Sequence, residues 1–401
     1  MDVWPFAWLS PRHALTLISL LVLPLIQATT GALLWNIVAE KLGHTPVSPA
    51  RWSRVALGVV LPASVAWTAV RWLGMPTTSA ALESVTWPGW VGVALGLLLL
   101  SLASLLATTL PRHRMALGTW AAAGGVMTIA CWAMIVSFQL EPGDWLEYRT
   151  LRLSIQPPSF PFVVLVHLAA TVSLGSALAL HAHVTHARLA RALANISAAI
   201  GCTVVVAAPW WLPPQVLSQT ARSFVEQGIS GPAWPTRWGI VTLFAWATFA
   251  LAANIRPSNG RVLLLLAALA ACSSQGLWAS YRGPWTVRGW LYENSVEAES
   301  LRSSRRSASM SPSLDTGAER GEMVFRHRCA TCHARSGPLA TWRSTLGCDP
   351  VELRSRLESL RETDRIGHPD RERMPPLVGS DREVDALATW LRNGNACPAN
   401  D

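Results

Sequence analysis

The chain has 401 residues, of which 51% are hydrophobic and only 14% charged. Soluble domains usually carry about a quarter charged residues, so an ordinary cytosolic enzyme, a disordered chain and a small disulfide scaffold are all excluded. The formal net charge of +9 does not mark a nucleic-acid surface: residues 286–401 carry 17 basic and 17 acidic side chains, and the excess falls wholly in the apolar residues 1–285. The chain reads as a membrane protein with a polar C-terminal part.

A membrane helix needs roughly 20 mostly apolar residues. Eight stretches meet that requirement: 14–38, 52–73, 89–110, 114–140, 160–185, 189–212, 234–255 and 261–281. The first has no basic segment before it and no small-residue cleavage site, so it is expected to be retained rather than removed as a signal peptide. Lys41, Arg51, Arg54, Arg112, Arg114, Arg188, Arg191, Arg256 and Arg261 fall in the loops of one face, against the single acid Glu40. The positive-inside rule assigns that face to the cytoplasm and both termini to the outside. Many of the 21 tryptophans, including Trp52, Trp72, Trp87, Trp90, Trp210 and Trp211, sit at span ends as an interfacial belt would. These features predict an all-α, eight-span helical bundle over residues 1–285, in a bacterial inner membrane.

After Trp285 the composition changes. Residues 286–318 read as a polar linker with little fixed structure, and 319–401 as a compact domain on the periplasmic side. That domain opens with Cys329-Ala330-Thr331-Cys332-His333, the Cys-x-x-Cys-His pattern of covalent haem c attachment. The spacing follows from the chemistry: two thiols on one helical turn add to the two haem vinyl groups, and the adjacent imidazole then lies beneath the iron. Met374, in Arg373-Met374-Pro375-Pro376-Leu377, is the candidate sixth ligand, since thioether and imidazole are the usual axial pair of electron-transfer cytochromes c. His327 and His368 are lesser candidates for the same role. Val384, Leu387, Ala388 and Leu391 form the apolar stripe of a closing helix. A haem-binding helix, a Met-Pro-Pro loop and a closing helix together resemble a class I monohaem cytochrome c. In an oxidising compartment the spare Cys348 and Cys397 are expected to pair, while Cys131, Cys202 and Cys272 read as small core residues of the spans.

Within the spans, His167 is the one histidine well inside the membrane. An ionisable residue at that depth is a functional candidate, and imidazole is a common haem ligand. Phe162 to Val172, with Gly175, Ser176 and Ala177 on the next turns, resembles the fifth helix of cytochrome bd quinol oxidase subunit I. Arg12-His13-Ala14-Leu15-Thr16 with Pro24, Trp52 through Gly58-Val59-Val60, Ser137-Phe138-Gln139-Leu140-Glu141-Pro142, and Arg282-Gly283-Pro284-Trp285 resemble further parts of that subunit in the same order. The resemblance implies that His167 ligates a low-spin, non-covalent haem b near the outer face. Depth alone, not the resemblance, makes Met134 on the fourth span a candidate for the sixth ligand. The resemblance also exposes departures. Ser19 or Leu20 stands where the family's oxygen-reactive haems need a histidine, Leu97 to Leu110 lacks the buried glutamates, and Gly239 and its neighbours replace the expected methionine. Ala279 stands where an acid precedes the Arg-Pro-Trp motif, and the quinol loop is reduced to about Pro213–Ala233.

The expected function is one-electron transfer between a membrane carrier, with quinol the donor the resemblance implies, and a periplasmic redox carrier. Other membrane subunits of a respiratory complex are the expected partners, and nucleic acid is not one. Cofactors would be one covalent haem c, held by Cys329, Cys332, His333 and Met374, with His167 the candidate ligand of a haem b. Two alternatives stand beside this reading: a subunit of a divergent terminal oxidase, and a cofactor-free anchor for a cytochrome c. His167 and His181, 14 residues apart, also have the spacing of two stacked haems, although no second span offers a matching pair.

Overall fold

The computed structural model describes residues 11–42, 58, 60–74, 76–142, 159–181, 187–212, 234–255, 259–283, 285–292, 296–298, 317–329, 349–363, 365, 368 and 374–395. The chain divides into two compact units. One comprises Ile18–Trp67 and Glu83–Arg282, the other Met1–Leu17, Thr68–Leu82 and Gly283–Asp401.

Among its described residues the first unit is built of helices. They are α1 (Pro11–Lys41), α2 (Leu61–Gly74), α3 (Pro76–Thr109), α4 (Arg114–Leu140), α5 (Phe160–His181), α6 (Ala187–Trp211), α7 (Trp234–Ile255) and α8 (Gly260–Arg282), of which residues 11–17, 68–74 and 76–82 are assigned to the other unit. Seven of them, all but α2, are long and apolar enough to cross a membrane. Of the expected span 52–73, the described helical part is α2, with 14 residues. Helix ends follow local chemistry. Pro111 cannot continue α3, and a single 3-10 turn, Pro111–His113, leads into α4. Gly283, with φ of 64°, takes the left-handed conformation that closes α8.

Small residues let these helices approach closely. Helices α5 to α8 surround a core of Trp246, Phe249, Leu174 and Leu263 set among alanines. Helix α1 meets α5 backbone to backbone: a Cβ on Gly175 would stand 2.6 Å from the Gly31 carbonyl oxygen, and one on Gly31 would overlap the Thr171 oxygen. Helices α3 and α4 meet the same way, with Gly124 against the backbone of Gly96 and Leu100. Lipid offers no hydrophobic drive for helix association, so van der Waals contact through such crossings holds a membrane bundle together.

The second unit begins with an antiparallel hairpin, β1 (Trp285–Val287) and β2 (Leu291–Tyr292), pairing Trp285 with Tyr292 and Val287 with Leu291. Gly289 supplies the positive φ of 78° in its turn. Trp285 and Tyr292 stack at 3.6 Å, and the chain doubles back so that Ala298 donates to the Trp290 carbonyl. The segment expected as a polar tether therefore starts with ordered structure. Three short helices follow: α9 (Gly317–Val324), continued by a π turn to Cys329, then α10 (Pro350–Leu360) and α11 (Asp381–Trp390). Their core is Val324, Phe325, Leu353, Leu357, Leu377, Val384, Leu387, Trp390 and Leu391. Helices α9 and α11 cross at Gly321, whose added Cβ would lie 2.6 Å from that of Trp390.

The α1–α5 crossing yields a direct test. Gly175→Ala forces a methyl group against backbone that has no rotamer to yield, and overpacking of this kind costs about 1–3 kcal/mol. Thermal unfolding in detergent should show a lowered midpoint for Gly175→Ala. Gly118→Ala, whose Cβ would meet nothing within 4 Å, should unfold as wild type does.

Candidate functional sites

In the C-terminal unit two of the expected haem c residues are described. Cys329 ends the π turn after α9, and its thiol, not in a disulfide, is half-buried against the helical core. Met374 is half-buried at the start of an extended run in which Pro375 through Gly379 are buried. Leu377, three residues on, enters the same core as Cys329. Cys332 and His333 lie outside the described residues, as do Cys348 and Cys397, so the expected disulfide is not placed.

Several devices fix the Met374 run. Asp349 caps α10, its Oδ1 accepting from the Val351 and Glu352 N–H groups at 2.8 and 2.9 Å. Ser380 caps α11 in a reciprocal box, in which its N–H donates to Glu383 Oε2 at 2.7 Å. Between the two helices the Leu377 N–H donates to the Leu360 carbonyl at 2.9 Å. Beside Cys329, burial pushes the Arg328 guanidinium below its ordinary value, with Glu383 and the Cys329 sulfur acting in the opposite direction. His368, the alternative ligand, is engaged elsewhere, its Nε2 lying 3.0 Å from Ser359 Oγ.

In the membrane unit His167 is fully buried on α5. Two glutamines that the sequence pattern did not single out converge on it. Gln27 of α1 and Gln275 of α8 each place an amide nitrogen 3.2 Å from Nδ1. Gln27 also donates to the His167 carbonyl at 3.4 Å, and Thr171 Oγ1 does so at 2.8 Å. The opposite ring nitrogen, Nε2, is buried and has no hydrogen-bond partner among the described residues, and neither does Gln27 Oε1. A search of the apolar spans for carboxamides, rather than for ionisable groups alone, would have found both glutamines.

Other expected neighbours are not brought to His167. The Met134 methyl group lies against α3, 2.8 Å from where a Cβ on Gly89 would stand. His181 is exposed at the end of α5, which leaves the stacked-haem spacing without a second buried imidazole on that helix. Ser19, one of the two positions (with Leu20) where the resemblance asks for a histidine, accepts an indole N–H from Trp67 at 2.8 Å. Trp67 in turn packs with Trp90 and Trp132, at centroid separations of 5.0 and 5.5 Å.

Two of the four donors expected for haem c are described, and their placement is compatible with that group. A half-buried thiol and a thioether-bearing run meet one apolar core, as a covalently held haem requires. In the membrane a buried imidazole keeps one nitrogen without a partner, as an iron ligand does when its other nitrogen is held from behind. Among the described residues no three His, Cys, Asp or Glu side chains group as a multi-ligand metal site would. No protein-family model matches the chain, and no curated protein does.

The orphaned nitrogen separates a structural histidine from a ligand. An unmet buried polar atom costs about 1–3 kcal/mol, and an apolar replacement of similar size removes that cost. In chain prepared without haem, His167→Leu combined with Gln27→Leu and Gln275→Leu, which removes the facing amides together with the ring, should therefore be no less stable than wild type, by thermal unfolding in detergent. A drop of several degrees would make the ring a structural element instead.

Proposed function

We propose that this protein is a membrane-anchored electron-transfer cytochrome, its C-terminal unit carrying one covalent haem c. The observation that carries the reading is that Cys329 and the run after Met374 pack into one small helical core, joining the attachment pattern to the candidate sixth ligand. Cys329 and Cys332 would hold the porphyrin, and His333 and Met374 the iron. When bound, the haem supplies reversible one-electron oxidation and reduction. The chain's own part is to exclude water with Phe325, Leu377, Leu387 and Trp390, and to keep a thioether ligand, which raises the potential relative to a harder ligand.

A haem b at His167 is the second element of the proposal, supported by the unpartnered Nε2. Electrons would then pass from a membrane donor, quinol on the family resemblance, to a periplasmic carrier, with other respiratory subunits as partners. The asymmetry of Lys and Arg between loops supports placing the cytochrome c on the periplasmic side of a bacterial inner membrane. The oxidase alternative is weakened on helix α1, where neither Ser19 nor Leu20, the two positions that match the oxygen-reactive haem ligand, is a histidine, and the Ser19 hydroxyl is engaged by Trp67. The anchor alternative is weakened by the cost of keeping His167 half-satisfied in an apolar bundle.

Pyridine haemochrome analysis of the purified chain tests the whole assignment, with one haem c per chain and a separate haem b signal expected. Absence of haem c would sink the proposal. Absence of haem b alone would leave the anchor reading. Met374→Ala should retain covalent haem while losing the weak thioether-to-iron absorption band and lowering the potential; an unchanged spectrum would assign the ligand elsewhere. His167→Leu should lose the non-covalent haem at full haem c occupancy. A carbon monoxide difference spectrum of membranes containing only this chain should show no oxygen-reactive haem.

A further inference from the structure

Arg361 is a charged side chain buried almost completely in the C-terminal unit, with 3% of its surface exposed. It follows the last residue of α10, where a cation is favoured by the helix dipole. Its guanidinium is engaged on several sides. One terminal nitrogen donates to the Gly379 carbonyl at 2.6 Å, and the other reaches Asp381 Oδ1 at 2.8 Å and Glu358 Oε2 at 3.2 Å. Gly379 ends the run that Met374 begins, and Asp381 is the first residue of α11. One buried group thus ties the end of α10 to the end of the Met374 run and to the start of the closing helix.

We propose that Arg361 is the positioning residue for the sixth haem ligand, holding the Met374 run so that the thioether stays on the iron. The inference rests on the cytochrome c reading of the C-terminal unit. Met374 is only half-buried, and among the described residues the chain next to it is the run 375–379, whose hold therefore bears on its place. Leu377 is held by the core and by the Leu360 carbonyl, and Val378 packs on Tyr292, Val296 and Ala298 of the hairpin segment. Gly379 has no side chain with which to pack, and Arg361 supplies its hold. A planar fork with several donors suits this task, because it serves a carbonyl and two carboxylates at once. Arg354, two turns earlier on the same face, bridges Glu358 and Asp385 but is about a third exposed, so solvent screens it.

The test uses the full chain with haem attached. Arg361→Gln should keep covalent haem c but weaken or abolish the thioether-to-iron band and lower the potential. The ferric haem should also bind added imidazole about tenfold more tightly, since the loosened methionine competes less well. Arg361→Lys, which keeps the charge and loses the fork, should fall between Gln and wild type. Arg326→Gln, which breaks only an exposed pair with Glu322, should match wild type. If Arg361→Gln fails to accumulate, Asp381→Asn removes one partner and should move all three readouts the same way by less. Wild-type band, potential and imidazole affinity in Arg361→Gln, or in Asp381→Asn where the former is lost, would overturn the proposal. A Met374→Ala variant that is spectrally identical to wild type would overturn it by a different route, because the ligand assignment itself would then be wrong.

Discussion

The contact between Gly31 and Gly175 sets the register of the membrane unit. Both helices run in the same direction at this crossing, since Gln27 meets His167 one turn before Gly31 meets Thr171 and Gly175. A helical turn is close to four residues, so the glycine crossing automatically lays the Gln27 carboxamide over the imidazole. Any side chain on either glycine would part the backbones and withdraw that amide. The polar site is therefore a consequence of close packing, and the packing is possible only because α1 and α5 carry no side chain where they touch.

The same device recurs in the C-terminal unit at smaller scale. Gly321 lets α9 lie against the Ala386 backbone and Trp390, and Phe325 one turn later packs on the Trp390 ring at 4.8 Å. That crossing delivers Cys329 to the core from one side, while the Met374 run enters through Leu377 from the other. Each candidate site thus hangs from a glycine at a helix crossing, with the functional side chain one or two turns away. Arg361 adds what a glycine crossing cannot: it fixes a segment of extended chain that has no helix of its own.

Much of this was legible in the sequence, and the failures have physical causes. Apolar length identified seven of the eight expected spans, because a bilayer imposes a length that hydropathy reports directly. Ser380 and Glu383 could be read as a cap, since both partners are three residues apart. The hairpin was missed because residues 286–318 are polar on average, although Trp285, Val287, Leu291 and Tyr292 carry apolar side chains on either side of a Gly289 turn. Gln27 and Gln275 were missed because their meaning lies in a meeting of three helices separated by more than 100 residues in sequence. Arg361 looks like any surface arginine until α10 and α11 are in place.

The hydrogen-bond arithmetic at His167 bears on why such a residue persists in an apolar bundle. A neutral imidazole has one donor and one acceptor nitrogen. Two glutamines face Nδ1, and Nε2 has no hydrogen-bond partner among the described residues, so a purely structural histidine here would crowd one nitrogen and waste the other. Nδ1 can serve only one in-plane partner at a time. If it accepts, the proton sits on Nε2, and that donor and the Gln27 oxygen both go unmet, at about 1–3 kcal/mol each. If it carries the proton, a half-turn of the Gln27 amide presents an oxygen to it, but the amide nitrogen then stands where no acceptor is, and the Gln275 amide faces a second donor. Neither tautomer satisfies the cluster by itself. The second leaves a lone pair on Nε2, the form an iron-binding histidine requires, so a ligand that took up that lone pair would relieve a cost the bundle otherwise carries.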